Sequence, residues 1–109
     1  MAGKTVFLNP KIKRFISRLK AKFNPSRIIL FGSRARGEEM KYSDWDFLIV
    51  SDAFEGISFR DRIDEALKLV DFPVGNDIEP LCYTLKEFNR RKKELGIVRK
   101  AAEEGMEIS

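Results

Sequence analysis

Asp44 and Asp46 are separated by one residue and are followed directly by FLIV at positions 47–50, an apolar run typical of a buried strand. Side chains two positions apart in a strand share a face, so both carboxylates are expected to project together. Because converging carboxylates repel each other and aspartate is a poor strand former, the pair needs compensation, most simply by a divalent cation. The alternative is a solvated start of the strand, with Asp44 in a turn. Ser43 is either a further turn residue or a hydrogen-bonding residue of the site.

A third acid would allow two metal ions to be bound. Asp77 and Glu79 lie at the beginning of a later predicted strand and share a face. Either carboxylate could project toward Asp44 and Asp46 if the two strands are neighbours. We favour Asp77, with Glu79 as the alternative. On its own this pair would mean little, since acids at strand edges are common and usually solvated.

A turn bounded by glycines, GSRARG at residues 32–37, follows an apolar run predicted to be a strand. Glycine lets the backbone approach a ligand closely, and a helix that begins there points unpaired N–H groups outward. Ser33 adds a hydroxyl group, and Arg34 and Arg36 add cations. The turn therefore predicts an anion-binding site, with an ordinary strand-to-helix turn as the alternative.

The spacing of Gly32 and Gly37 imitates the P-loop of ATP-binding proteins. A P-loop continues with Lys and then Ser or Thr, whereas Glu38 and Glu39 follow here. Without the phosphate-binding lysine and the hydroxyl that binds magnesium, a P-loop is excluded.

The sequence of 109 residues contains no histidine and one cysteine, Cys82. Ser-His-Asp triads, Cys-His pairs, the usual zinc sites and an internal disulfide are therefore excluded. We expect Cys82 to be a small buried residue in a strand, and we expect a reducing, cytoplasmic location. Carboxylates, hydroxyls and cations remain for catalysis, so any metal must be a hard cation bound by oxygen.

Length and composition predict a single folded domain over residues 1–109. Hydrophobic residues make up 43% of the chain and aromatic residues 11%, which is far above the content of a disordered polymer. No apolar run approaches the ~20 residues of a membrane-spanning helix, and the first residues lack the apolar stretch of a signal peptide. We therefore expect no membrane association.

Charge is segregated along the chain. Residues 1–37 carry ten Lys or Arg and no acid, whereas residues 38–84 carry twelve acids and four basic residues. An acidic metal site framed by phosphate-binding cations would produce this pattern. Solvated lysine faces on helices would produce it too, and we favour that explanation for the lysines at positions 11–22.

The predicted elements alternate between helices and strands, which favours an α+β (mixed α/β) fold with a small mixed sheet flanked by helices. Pro80 within the third strand indicates an edge position or a bulge. A capping box predicts a basic helix beginning after Thr84. The other predicted elements are helices over residues 10–23, 59–72 (inward face Phe59, Ile63, Ala66, Leu67 and Val70) and 97–104, strands over 27–31, 45–50 and 77–83, and a short edge strand over 106–109.

The two motifs in order, GSRARG at 32–37 and SDWD at 43–46 before an apolar strand, resemble the minimal nucleotidyltransferases of the DNA polymerase beta superfamily. The resemblance implies a nucleotidyltransferase fold in which Gly32 and Ser33 contact the triphosphate of ATP or another nucleoside triphosphate. It implies two Mg²⁺ ions bound by Asp44, Asp46 and a third carboxylate. On this basis we assign catalysis and metal binding to Asp44, Asp46 and Asp77, and nucleotide binding to Gly32, Ser33, Arg34, Arg36 and Ser43.

The expected reaction is transfer of NMP, with AMP from ATP favoured, to a hydroxyl acceptor, a reaction that needs charge neutralisation more than acid–base groups. The resemblance further implies a helical HEPN-type toxin as partner, with one of its tyrosines as the acceptor and this chain as antitoxin. An inactive module that neutralises a partner by contact is the alternative. The basic residues at 86–93 could bind nucleic acid, but a solvated helix face is favoured because no aromatic stacking set accompanies them. The sequence is also compatible with a homo-oligomer.

Overall fold

The computed structural model describes residues 8–37, 44–71 and 78–108, which form one four-stranded mixed sheet with helices on both faces. No helix in these ranges is long and apolar enough to cross a membrane. The elements, in chain order, are α1 (Pro10–Phe23), β1 (Arg27–Phe31), α2 (Ser33–Arg36), β2 (Trp45–Val50), a 3₁₀ turn (Asp52–Phe54), α3 (Phe59–Leu67), β3 (Ile78–Tyr83), α4 (Leu85–Arg91), α5 (Ile97–Glu104) and β4 (Met106–Glu107).

The sheet has the strand order β3-β2-β1-β4, so the first two strands of the chain occupy its centre. Strand β1 is antiparallel to both β2 and β4, whereas β2 and β3 are parallel. This arrangement confirms the predicted α+β class with a small mixed sheet. It also confirms the predicted short edge strand near the end of the chain, which forms β4.

Helix α1 begins and ends where its sequence predicts. The Asn9 side chain accepts a hydrogen bond from the backbone N–H of Ile12, Pro10 occupies the first turn, and Asn24 ends the helix in the left-handed conformation at φ 45°. The apolar stripe of α1 packs on the sheet and is fully confirmed. Its buried residues are Ile12, Phe15, Ile16, Leu19 and Phe23.

Both faces of the central strands are buried, as their continuous apolar runs predict. Ile28 and Leu30 of β1 pack with α1 on one face, and Ile29 packs on the other face with Val98 and Ala101 of α5. Strand β2 alternates in the same way. The sheet is therefore a rigid layer whose ends are available to position polar groups.

Strand β3 lies at the edge of the sheet, which is the position that Pro80 predicts. The Tyr83 carbonyl accepts a hydrogen bond from the Ser51 N–H at 2.9 Å, on the side of β2, whereas the Cys82 carbonyl accepts from Arg62 at 3.2 Å. Because backbone groups alternate along a strand, the nitrogen of Pro80 faces the same way as the Cys82 carbonyl, away from β2. Its missing N–H therefore costs no bond within the sheet. Cys82 is fully buried, as expected, and this burial raises the pKa of its thiol to about 12.

Helix α3 departs from its predicted course. It ends at Leu67, and the backbone then continues in tight turns through Val70 instead of reaching residue 72 as a helix. The predicted inward face is wrong at Phe59 and Leu67, which are 40% and 38% exposed, whereas Val70 packs against the core as predicted. Arg62 takes the buried position with Ala66, since its guanidinium finds a full set of partners inside.

The buried guanidinium of Arg62 joins α3, β3 and α4. Its Nε donates to the Ile57 carbonyl at 2.8 Å and its Nη1 to the Cys82 carbonyl. Nη1 and Nη2 also bind the two carboxylate oxygens of Glu87 at 2.6 and 3.2 Å. Glu87 in turn accepts from the Thr84 N–H at 2.8 Å, which completes the predicted capping box of α4. The Arg62 hydrogen bonds hold the pKa of Glu87 at about 2.

Substitution of Arg62 by Ala should lower the free energy of unfolding by about 3 kcal/mol, because two backbone carbonyls and the Glu87 carboxylate lose their donor. Arg60→Ala on the exposed side of the same helix is the matched control and should change it by less than about 0.5 kcal/mol. Urea unfolding at pH 7 measures both. Since folding lowers the pKa of Glu87, its contribution is present above about pH 4.5 and is lost as the pH falls toward 2. Unfolding of Arg62→Ala should lack this acid-range loss, and equal effects of the two substitutions would contradict the assignment.

Candidate active site

Three carboxylates border one cavity at the end of the sheet where β2 and β3 begin. Asp46 of β2 is the register partner of Glu79 of β3, and Asp44 lies just before β2. All three side chains line a cavity of about 790 Å³. Because parallel neighbours start at the same edge, the register brings acids that are 33 positions apart in the chain side by side.

The Asp46 carboxyl group is held in an environment that disfavours its charge. Burial, a hydrogen bond with Glu79, and the negative charges of Glu79 and Asp44 raise its pKa to about 7, and only Arg36 acts in the opposite direction. Without a cation, the Asp46 carboxyl group is therefore about half protonated near pH 7, with a hydrogen bond to Glu79. Carboxylate oxygens are the donors that a hard divalent cation prefers, so the chemistry of the pair fits Mg²⁺.

Within residues 8–37, 44–71 and 78–108, no group of three acidic, histidine or cysteine side chains comes close enough together to enclose a metal ion. Two of the predicted ligands, Asp44 and Asp46, lie at the cavity, and Glu79 joins them there. Asp77, the favoured third ligand, and Ser43 lie outside the described residues, so both assignments stay predictions.

The glycine at the start of the GSRARG turn contacts the acidic cluster. Phe31, the last residue of β1, pairs with Asp46 across the antiparallel ladder, so Gly32 emerges beside the Asp46 carboxylate. Gly32 has φ 77°, and a Cβ placed on it would lie 2.3 Å from Asp46 Oδ2. Only glycine fits here, both for its backbone conformation and for its closeness to the carboxylate.

The turn itself forms the single-turn helix α2, and its two arginines take different positions. Gly37 closes the helix at φ 73°, with its N–H directed at the carbonyls of Ser33 and Arg34. The Arg34 guanidinium stacks on the Trp45 ring at 4.1 Å from the centroid. Arg36 is exposed and acts electrostatically on Asp46. Of the two predicted cations, Arg36 therefore has the more direct relation to the carboxylates.

Other walls of the cavity come from elements that local sequence patterns did not connect with the site. Ile63 and Leu67 of α3 and Ile97 of α5 line the cavity beside the acids. A smaller cavity of about 170 Å³ shares Phe31 and Ile97 with it, and its lining also contains Lys100. The only signal in the sequence was an apolar residue at the start of the last helix, which gives no information about its distance from Asp46.

The family model of the nucleotidyltransferase domain matches residues 12–106. The chain belongs to this nucleotidyltransferase family. The match spans both sequence motifs, strands β1 to β3 and helix α5, and it ends at the first residue of β4, so the predicted resemblance is confirmed.

Two relatives of this nucleotidyltransferase carry names that refer to protein substrates. A protein of Methanocaldococcus jannaschii, provisionally named a protein adenylyltransferase, is 38% identical over 82 residues, which cover 73% of this chain and 77% of the relative. A Haemophilus influenzae protein named a probable protein adenylyltransferase, MntA, is 32% identical over 77 residues, covering 71% of this chain and 68% of the relative. The family and these relatives support nucleotidyl transfer as the general activity.

Solved structures support the fold. A Sulfolobus solfataricus protein provisionally described as a nucleotidyltransferase has a TM-score of 0.56 at 23% identity, covering 72% of this chain and 68% of that one. BolA1 of Arabidopsis thaliana, which is not named as a nucleotidyltransferase, has a TM-score of 0.57 at 17% identity. The similarity covers 73% of this chain and 98% of BolA1. Since proteins of two classes share the architecture, the fold does not specify the chemistry, and the site residues must.

Gly32→Ala should disrupt the site, because the added methyl group collides with the Asp46 carboxylate and the residue must hold a positive φ. Gly56→Ala is a matched control, since Gly56 also has a positive φ of 79° and nothing lies within 4 Å of its Cβ position. Strain alone should cost each variant about 1 kcal/mol of unfolding free energy. Only Gly32→Ala should lose nucleotide binding, measured by calorimetry with an ATP analogue. Equal binding by the two variants would contradict a phosphate-binding role for this turn.

The raised pKa of Asp46 predicts how the stability of the metal-free nucleotidyltransferase changes with pH. Because folding raises this pKa from 3.8 to about 7, the carboxyl group favours the folded state below pH ~4, and this contribution is lost as the pH rises toward 7. In EDTA, the melting temperature of wild type should therefore fall over this range relative to Asp46→Asn. Asp64→Asn, at an exposed position of α3, should follow the wild-type profile. Parallel profiles for wild type and Asp46→Asn would show that folding does not raise the pKa of Asp46.

Proposed function

We propose that this nucleotidyltransferase moves AMP from ATP, in the presence of Mg²⁺, to a hydroxyl group on a protein. The observation that carries this proposal is the meeting of the Asp46 and Glu79 carboxylates beside Gly32 at one end of the sheet. Metal-binding acids and a close-approach backbone turn are the two components that transfer from a nucleoside triphosphate requires.

The proposed metal ligands are Asp44, Asp46 and a third carboxylate. Bound Mg²⁺ would neutralise the charge of the triphosphate and polarise its α-phosphoryl group. The backbone at Gly32, the Ser33 hydroxyl and Arg36 would bind phosphate oxygens. The acceptor hydroxyl forms a bond to the α-phosphorus, the bond to the bridging oxygen breaks, pyrophosphate leaves, and the hydroxyl proton passes to a carboxylate.

Two residues compete for the third carboxylate position. Glu79 is supported by its register with Asp46 and by the hydrogen bond between the two side chains. Asp77, favoured from the sequence, lies two positions earlier and would share the face of Glu79 if the strand extends that far. We propose one of these two as the third ligand and as the proton acceptor, to be assigned by substitution.

The proposed acceptor is a tyrosine of a helical HEPN-type protein, and the chain would act as the antitoxin of that toxin. The names of the two relatives support adenylyl transfer to a protein. The site supports an aromatic acceptor, because Ile63, Leu67 and Ile97 provide an apolar wall next to the carboxylates. An aromatic ring packs against such a wall, whereas a serine side chain would leave it exposed to water.

A second candidate is a binding module that neutralises its partner without transfer. It is favoured by one observation, that the described residues contain no group of three ligands close enough to enclose a metal. In this case the acidic cluster would be a remnant of the family's chemistry, and contact alone would carry the function.

Incubation with α-labelled ATP, Mg²⁺ and a candidate HEPN-type partner separates the two functions. Wild type should label the partner, and Asp44→Asn or Asp46→Asn should reduce the rate by at least about a hundredfold, because the phosphate charge then loses its counter-ion. Of Glu79→Gln and Asp77→Asn, the variant with the larger loss identifies the third carboxylate. Glu94→Gln, at an exposed acid that does not line the cavity, serves as the control.

Two results would contradict the proposed enzyme. Labelling that persists in Asp46→Asn would place the chemistry elsewhere in the preparation. Tight partner binding by wild type without any labelling, equally tight for Asp44→Asn, would establish the non-catalytic module instead.

A further inference from the structure

A small cavity adjoins the candidate active site and shares two lining residues with it, Phe31 and Ile97. It measures about 170 Å³, and the rest of its lining is Gly32, Arg36, Lys100 and Glu104. Gly32 lines this cavity and also abuts the Asp46 carboxylate, so the proposed phosphate-binding turn adjoins both the acids and the cavity. A ligand bound at this turn would therefore lie near both.

Lys100 is directed to this cavity by the packing of α5. Val98 and Ala101 are buried against the sheet in a cluster with Ile29, which fixes the rotation of the helix. Ile97 and Lys100 are three positions apart and thus share a face of the helix, and both line the cavity. The helix therefore presents one apolar and one cationic side chain beside the turn that contains Gly32.

The Lys100 ammonium group is available for a ligand. Its side chain is exposed, and it makes no hydrogen bond or ion pair with any residue in the described ranges. The preceding residue, Arg99, instead pairs with Glu103 at 3.2 Å along the helix. Of these two neighbouring cations, only Lys100 combines a position at the cavity with an unoccupied charge.

The two cavities differ in the charge of their lining residues, and this difference would determine which end of a bound nucleotide lies in which cavity. The larger cavity contains Asp44, Asp46 and Glu79, whereas the smaller contains two cations and one acid. We propose that Lys100, together with Arg36, forms a polyphosphate subsite that binds the β and γ phosphates of the nucleotide. This inference rests on the proposed function, because it takes a nucleoside triphosphate as the ligand. The subsite orients the substrate with pyrophosphate leaving toward α5 and the acceptor entering along the apolar wall of the larger cavity.

Glu104 provides an internal test of this subsite. It lies four positions after Lys100 and lines the same cavity, so its negative charge weakens the attraction for phosphate. Removing Lys100 and removing the charge of Glu104 should therefore have opposite effects on the affinity for a polyanion. A merely structural role of α5 would not produce opposite signs.

Calorimetric titration of the full chain with tripolyphosphate and Mg²⁺ tests the subsite without requiring turnover. Lys100→Ala should raise the dissociation constant about tenfold, the effect of losing one charge-assisted contact. Glu104→Gln should lower it about twofold, as expected for one exposed charge. Arg99→Ala is the matched control and should leave it within about twofold of wild type. Where transfer is measurable, Lys100→Ala should raise KM for ATP and the inhibition constant of pyrophosphate, with kcat within about twofold.

The outcomes separate this subsite from the proposed reaction. Lys100-dependent tripolyphosphate binding in a protein that transfers nothing would support the subsite and overturn the proposed enzyme. An unchanged dissociation constant in Lys100→Ala, or an equal loss in Arg99→Ala, would overturn the subsite even if wild type transfers AMP. A fall in kcat at constant KM would also overturn it, since it would place Lys100 on the reacting group and not on the leaving phosphates.

Discussion

The register of three strands forces like charges together, and the rest of the molecule is organised around that constraint. Phe31 of β1 pairs with Asp46 of β2, which pairs with Glu79 of β3, so the end of one strand and the starts of two others meet in a row. Burial is the largest cause of the raised pKa of Asp46, and the hydrogen bond and charge of Glu79 and the charge of Asp44 raise it further. A protein keeps such an electrostatic cost where the same groups serve a ligand, and the cation that we propose for this site would relieve it.

The sheet can hold these carboxylates because its stability comes from elsewhere. Both faces of β1 and β2 are covered, by α1 on one side and by α4 and α5 on the other. The edge strand β3 has fewer neighbours, and the Arg62–Glu87 pair fixes it by binding the Cys82 carbonyl and the start of α4. The most buried ion pair that we describe thus lies at the opposite end of β3 from Glu79, where it stabilises without interfering with the site.

Local signals in the sequence predicted the helices and strands well, but they could not predict contacts between residues that are far apart in the chain. Asn9, Thr84 and the glycines of the GSRARG turn act on residues within four positions, so caps and turns could be derived directly. The predicted inward face of α3 missed Arg62, because periodicity treats arginine as polar and cannot anticipate the hydrogen-bond partners that Cys82 and Glu87 contribute. The contact of Asp46 with Glu79, and the approach of α5 to Gly32, depend on strand order and helix rotation, which no local pattern encodes.

The segregation of charge along the chain has two separate physical causes. Several cations of the basic first third pair at the surface: Arg14 and Arg18 of α1 bind Asp71, and Lys22 binds Glu65. These exposed pairs connect α1 to the region of α3 and contribute little individually. The cations that adjoin the acidic cavity are instead Arg36, from the basic segment, and Lys100, from the last helix. Overall charge balance therefore says little about this site, and the few charges that strand register and helix packing bring to the same end of the sheet determine its chemistry.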